Sequence, residues 1–287
     1  MALQPRKSAR TKTRTLGGVK LQALRSTASL SLLELAAKLE SELGKPIDAG
    51  HINKIETGSI KKPLAETLET ILAGLHASYA DQRTVLEAFG YQIPMTLPTE
   101  REVHEAQRLT VYELNDSTYP VMLIDYGQRI WAWNRYTPRI IGLHPDDPAA
   151  VQFIGVTVFD VTLNPAFTTR LLVANPEEYL PAMLQFIKAG MYRFHDEQWY
   201  QNLMARLDGF PGFSAIWDNL PTDTMQRYAY RSIVPIRIDV AGVSVLQFRM
   251  SSTDFLLDPR FQIIHFTPFG AHTLRACAQW AEEEGAL

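Results

Sequence analysis

The side chains able to carry chemistry in this 287-residue chain gather in two regions of opposite character. The first region is basic. Arg6, Lys7, Arg10, Lys12, Arg14, Lys20 and Arg25 all precede Glu34, the first acid. Residues 1–75 hold 12 basic and 7 acidic residues, a net +5, while the rest holds 16 and 24, a net −8. A basic head on an acidic body is the pattern of a chain that meets a polyanion with one end. A solvated tail has the same composition, but the residues after the arm favour the polyanion. Ala49, Gly50, His51, Asn53, Lys54 and Thr57 are small or hydrogen-bonding, and Lys61 and Lys62 come just after them. Such residues reach base edges and phosphates, and Arg10 and Arg14 in the arm add sequence-independent phosphate contacts.

The second region is rich in large apolar side chains. Trp131, Trp133, Tyr136, Phe153, Phe159, Phe167, Phe186, Trp199, Phe213, Trp217 and Phe248, with Leu123, Leu171 and Leu203, either fill an ordinary core or line an apolar cavity of ligand size. Arg231, Arg237 and Arg249 fall in predicted strands, where alternation can turn one of them inward. Arg249 is the candidate, because an arginine fork suits a carboxylate; a surface ion pair is the plainer alternative.

Catalytic constellations are not expected. His195, Asp196 and Glu197 lack the flanking histidines of a zincin helix, and neither a Gly-rich phosphate loop nor a G-x-S-x-G elbow occurs. Asp254 and Asp258 near Arg260 read as a turn rather than a carboxylate pair, and His265 reads as a core histidine. A single cysteine, Cys277, excludes a disulfide framework and a multi-cysteine zinc site and fits a reducing cytoplasm. The sequence thus predicts no catalytic residue, no metal ligand, no cofactor, and no membrane insertion.

Which elements must hold these residues? Leu21 and Leu24 give a first short helix a thin stripe. Ser31 and Glu34 form a capping box opening a second, with Leu32, Leu35, Ala36, Leu39 and Leu43 at helical spacing and Gly44 as its stop. Asp48 can cap a third, whose inward residues are Ile52 and Ile55. At 100° per residue the opposite side then holds Gly50, Asn53, Lys54 and Thr57. Pro63 suits the first turn of a fourth helix with a stripe of Leu64, Leu68, Ile71, Leu72 and Leu75. A helix from His76 to Gly90, a proline-bearing linker and a second capping box at Thr99 and Glu102 come next. Strands are predicted at 121–125, 129–132, 231–238, 243–250 and 261–267, with helices near 176–189 and 196–207 between the first two and the last three, and a closing helix over 271–284.

The stretch from Leu21 through Leu35-Ala36 to Ile55-Glu56-Thr57-Gly58 resembles the Cro/phage-repressor, or Xre, class of helix-turn-helix domains. That resemblance places Ala49, Gly50 and Lys54 at base-reading positions and makes Glu56 structural. The segments YPVMLIDYGQRIWAWN, PGFSAIWDNL and VLQFRMSSTDFLLDPRFQIIHFTP resemble the PAS-like ligand-binding domain of MmyB-like transcriptional regulators. Together they imply two domains: an all-α, lambda repressor-like helix-turn-helix and an α+β PAS-like domain with an antiparallel sheet. The expected division is a basic arm over 1–15, the helix-turn-helix over 16–76, a helical connector over 77–118 and the PAS-like domain over 119–287. The implied partners are double-stranded DNA, a fatty acid or similar apolar molecule, and a second copy of the chain in a homodimer. Two alternatives stay open from the residues: an enzyme acting on a lipid or aromatic substrate while tethered to DNA, and a PAS-like domain serving only to dimerise.

Overall fold

A computed structural model describes residues 14–93, 95–220, 234–240 and 243–283, with the side chains of 170 and 171 left aside. The chain divides into two compact units, one up to residue 94 and one from Met95 onward. Arg10 and Arg231 lie outside the described residues.

In the first unit, local signals set where each helix begins. Helix α1 (Leu16–Thr27) starts where the Thr15 hydroxyl accepts from the Gly18 amide at 3.1 Å. Helix α2 (Leu32–Leu43) opens on the expected box: Glu34 donates its amide to Ser31 Oγ at 3.2 Å, and its carboxylate accepts from the Ser31 amide at 2.7 Å. It ends at Gly44, whose φ of +62° only a residue without a Cβ adopts freely. Helix α3 (Ala49–Glu56) comes after a five-residue connection, then α4 (Ala65–Gly74) and α5 (Tyr79–Ala88). Leu21, Leu35, Leu39, Ile52, Ile55, Leu68, Ile71, Leu72, Val85 and Leu86 meet in one core. Each such side chain, removed from water, stabilises the fold by about 1.5–3 kcal/mol. A Cβ on Gly17 would lie 2.5 Å from the Phe89 ring, and one on Gly18 2.6 Å from the Ile55 carbonyl oxygen. These two glycines let α1 seat directly on its neighbours.

Three local expectations need correcting. Asp48 stands at the N-cap of α3, yet its side chain makes no capping hydrogen bond. Pro63 precedes α4 instead of opening it, and its carbonyl accepts from Tyr91 Oη at 2.6 Å. Leu64, read as part of the α4 stripe, is the N-cap and is 74% exposed, because the stripe faces inward only from Leu68. The stretch read as a connector contributes α5 to this core and the next helix to the other unit.

The second unit is an α+β fold on a five-stranded antiparallel sheet. Helix α6 (Glu100–Asp116) leads into β1 (Val121–Asp125) and β2 (Ile130–Trp133). Then come α7 (Thr137–Ile140), α8 (Val158–Leu163), α9 (Pro176–Met191), α10 (Gln198–Leu207) and α11 (Phe213–Trp217). The chain returns to the sheet as β3 (Ile236–Val240), β4 (Ser244–Asp254) and β5 (Phe261–Pro268), and ends on α12 (Ala271–Glu283). The strand order is β2-β1-β5-β4-β3. Strand β4 runs four residues past its expected end, because its first half pairs with β3 and its second with β5.

Strand alternation divides the central side chains between two faces. Val121, Leu123, Phe261 and Ile263 pack with Val103, Ala106 and Leu114 of α6. Met122, Ile124, Ile264 and Phe266 enter the main core on the other face, with Leu184 and Ile187 of α9. Buried charge fastens the edges of this frame. Arg260, only 2% exposed, pairs with Asp258 and with Glu102 of α6, each at 2.7 Å. Asp125, fully buried, accepts from Arg129 Nε at 2.7 Å and Trp131 Nε1 at 2.8 Å and so closes the β1–β2 turn.

Candidate functional site

The first candidate surface is the outer side of α3. Ile52, Ile55 and Glu56 are buried, which leaves Gly50, Asn53 and Lys54 exposed and Ala49, His51 and Thr57 half-buried. Lys61 and Lys62 are exposed in the loop after Gly58. Lys54 and Lys61 have no acidic partner among the described residues, whereas the Lys62 ammonium lies 5.5 Å from the centre of the Tyr91 ring. Thr57 Oγ1 donates to the Asn53 carbonyl at 2.7 Å, so its proton is engaged within the helix. Arg14 is exposed and donates to Gln22 Oε1 at 2.6 Å. Gly50 is inside the helix, and a Cβ there would sit 2.9 Å from Asp48 Oδ2.

One basic residue leaves the expected surface. Arg25 forks onto Glu56 at 2.7 and 2.8 Å and donates to the Leu30 carbonyl at 2.7 Å. Hydrogen bonding to Glu56 raises its pKa above the ordinary arginine value in spite of partial burial. Its charge is neutralised inside the unit and ties α1 to the end of α3.

The second candidate is a divided apolar cavity between the sheet and α9 and α8. Its larger hollow is walled by Ile130, Trp133, Phe153, Leu172, Ile236 and Phe266, among others, and the smaller by Ile124, Met183, Phe186, Ile187 and Ile264. The two hollows share Met122, Val158, Tyr179 and Met250. At the divide Tyr179 Oη donates to Met250 Sδ at 2.8 Å.

No family model and no curated protein matches the chain. Its function has to be read from this geometry and from the residues.

Of the candidate ligand residues, Trp133, Phe153 and Phe186 line the hollows. Phe167 packs one layer out, its ring 5.5 Å from Phe153. Phe159, Phe213 and Trp217 pack on one another at 5.1–6.3 Å and serve the core instead. Trp199 stands 5.3 Å from Phe194 and 6.1 Å from Tyr200, away from both hollows. Tyr136 is buried in the same core, Leu203 is half-buried against it, and Phe248 lies behind the wall, 6.3 Å from Phe266. The Leu171 side chain is outside the described set. Leu123 is on the wrong face, since the period of two sends Met122 and Ile124 toward the cavity and Leu123 toward α6. Arg249 is exposed, its guanidinium 4.3 Å over the Phe269 ring, and takes no part in the cavity.

Counting aromatics missed the methionines and aliphatics that form most of the wall; alternation along β1 and β5 was the signal that carries them. Lys188 was missed as well. It is buried, donates to the Trp217 and Leu220 carbonyls at 2.6 and 2.9 Å, and burial lowers its pKa. This holds α9 against the end of α11. His195 is exposed and stacks on Tyr192, and among the described residues no cluster of three metal-ligating side chains occurs. No helix among them is long and apolar enough to cross a membrane.

Proposed function

We propose that this chain is a sequence-specific DNA-binding transcriptional regulator whose second unit senses a small apolar ligand, a fatty acid or a similarly lipidic molecule. Helices α2 and α3 act as the helix-turn-helix of an Xre-type domain, with α3 as the recognition helix. The observation that carries the reading is the outer face of α3. It offers only small and hydrogen-bonding residues around two lysines without acidic partners among the described residues, while its inner face is anchored by Ile52, Ile55 and the Glu56–Arg25 pair. Such a face enters a major groove, where Lys54 and Asn53 reach base edges and Lys61 and Lys62 reach flanking phosphates.

The second unit supports the sensing half. A strand hairpin, an excursion of helices and three returning strands that place the fifth beside the first support a PAS-like reading of this unit. The cavity walls are apolar with a few polar groups, the usual make-up of a small-molecule site. A regulator of this kind works in the cytoplasm, where the lone, buried Cys277 stays reduced.

Two measurements test the halves. Selection from random duplexes by the full chain is expected to return one motif, protected in footprinting. Mass spectrometry of purified protein after denaturation is expected to release a lipid. Enrichment of no sequence at all would refute the regulator, and turnover of the lipid in place of its retention would make the second unit an enzyme.

A further inference from the structure

The smaller hollow has a polar end made of two glutamines. Gln128 lies in the β1–β2 turn with φ of +62°, a conformation that side-chain-bearing residues other than Asn and Asp adopt at a steric cost. Its backbone is fixed on both sides, the amide donating to the Asp125 carbonyl at 2.9 Å and the carbonyl accepting from Val158 at 2.8 Å. A glycine would satisfy that turn without strain. The glutamine side chain instead lines the hollow, nine-tenths buried, and its amide makes no hydrogen bond with any described residue. Its donors and acceptor are therefore open to a polar group that enters the hollow.

Gln262 stands beside it, on β5 opposite Ile124. Its Nε2 donates to Asp254 Oδ1 at 2.7 Å. A carboxylate only accepts, so that contact fixes which end of the amide faces Asp254 and leaves the carbonyl oxygen to receive a donor. The threonines of the larger hollow, Thr137, Thr162 and Thr169, already donate their hydroxyls to the carbonyls of Val121, Val158 and Val161, and the Tyr179 hydroxyl donates to Met250 Sδ. No Lys, Arg or His is among the described residues lining either hollow.

We propose that the head of the ligand is an uncharged hydrogen-bonding group (an alcohol, an amide or a protonated carboxyl) held by Gln128 and Gln262. Its tail runs past Tyr179 and Met250 into the larger hollow. The proposal rests on the reading of the cavity as an apolar-ligand site. A carboxylate at this end meets amides and, among the described residues, no cation, so burial pushes its pKa up and the acid enters protonated. The divide is formed partly by Met122 and Met250, unbranched side chains that shift to let an alkyl chain through.

The test uses the full chain, freed of lipid, with 1-dodecanol, dodecanoate and dodecane as probes. Dodecanol is expected to bind about fivefold to tenfold more tightly than dodecane, the worth of one or two net hydrogen bonds. Its affinity should be flat between about pH 6.5 and 8.5, while that of dodecanoate falls about tenfold per pH unit as the acid must take up a proton. In Gln128→Leu, of similar size and backbone demand, dodecanol should drop to the level of dodecane with dodecane itself unchanged. Gln128→Gly, free of the strain, should lose the same preference, which separates anchoring from folding. Undiminished dodecanoate affinity across that range, or a dodecanol preference that survives both variants, overturns the proposal while dodecane binding leaves the cavity reading standing. Binding of none of the three probes overturns the cavity reading and this proposal with it.

Discussion

Lys54 and Arg14 are both exposed cations in the first unit, but they are held differently. Lys54 projects from a helix whose inner face is locked in a core, so its position relative to a groove is fixed to within its own rotamers. Arg14 precedes α1 and has only Gln22 as its side-chain partner among the described residues. Replacing Lys54 by alanine is expected to weaken a cognate duplex by about 1–3 kcal/mol and to relax discrimination at one base position. Neutralising Arg14 should weaken all sequences alike and flatten the salt dependence by about 1 per lost phosphate contact. Titrations of cognate and scrambled duplexes at several salt concentrations decide; a change of preference in the Arg14 variant and none in Lys54→Ala reverses the two roles. Gly50→Ala separates binding from stability at the same face. Alanine favours the helix by about 1 kcal/mol, and the Asp48 carboxylate can swing aside, so the melting temperature should hold or rise while DNA affinity falls. The residue types of this face were legible from a helical wheel, since Ile52 and Ile55 fix the inward direction. Arg25 was not, because its partner Glu56 is 31 positions away and only the packing of α1 on α3 brings them together.

At the scale of elements, the two capping boxes were readable because they are local: Ser31 with Glu34 and Thr99 with Glu102 lie three residues apart. What the sequence conceals is that Glu102 also receives buried Arg260 from the β4–β5 turn, so that one side chain caps α6 and fastens it to the sheet. Burial pushes the Glu102 carboxyl up, but hydrogen bonds from Arg260 and Thr99 outweigh it and leave the pKa below the ordinary 4.5. Asp160 behaves alike: burial is outweighed by Arg206 and Thr157, and its pKa lies below 3.8. The stability these groups lend is present above their ordinary values and is lost as pH falls through the lower folded values. Asp125 has the opposite sign. Its burial prevails over Arg129 and Trp131, its pKa is raised, and its ionisation opposes folding as pH climbs past 3.8. Melting followed from about pH 6 down to pH 3 should therefore show a falling midpoint, shallower in Glu102→Gln and steeper in Asp125→Asn. Equal slopes in all three proteins would remove these carboxylates from the account. Cys277 offers a probe of the same unit, since burial lifts its pKa to about 12 and it should resist alkylation at neutral pH until the unit unfolds.

For the whole molecule, the proposed function asks how an apolar ligand in one unit would change DNA binding by the other. The cavity was legible only as a surplus of aromatics, and most of these belong to the ordinary core, because period-two alternation rather than residue type decides which side chains of a strand meet the hollow. A ligand that fits both hollows buries a long chain at about 0.8 kcal/mol per methylene, so affinity should climb with chain length until the larger hollow is full and then level off. Binding to the folded state alone raises the melting temperature by mass action, whatever happens to DNA. An effect on DNA requires more: the ligand must bind the DNA-competent state and its alternative unequally, and the DNA must by linkage change ligand affinity by the same factor. A single small helix-turn-helix buries too little area for useful specificity, so the competent state is expected to be a homodimer on a two-fold operator with half-sites about one helical turn apart. Helix α6 carries exposed Leu109, Val111 and Tyr112 and is a candidate contributor to that pairing. Sedimentation of the ligand-free and dodecanol-loaded chain, with footprinting of each on the selected operator, measures both links together. The expected outcome is a dimer protecting two half-sites in one of the two states and a shift of at least about fivefold in operator affinity between them. A monomer at tens of micromolar protecting a single half-site would refute the dimer. A melting shift with operator affinity unchanged would leave a lipid-binding protein that reads DNA without being switched by its ligand.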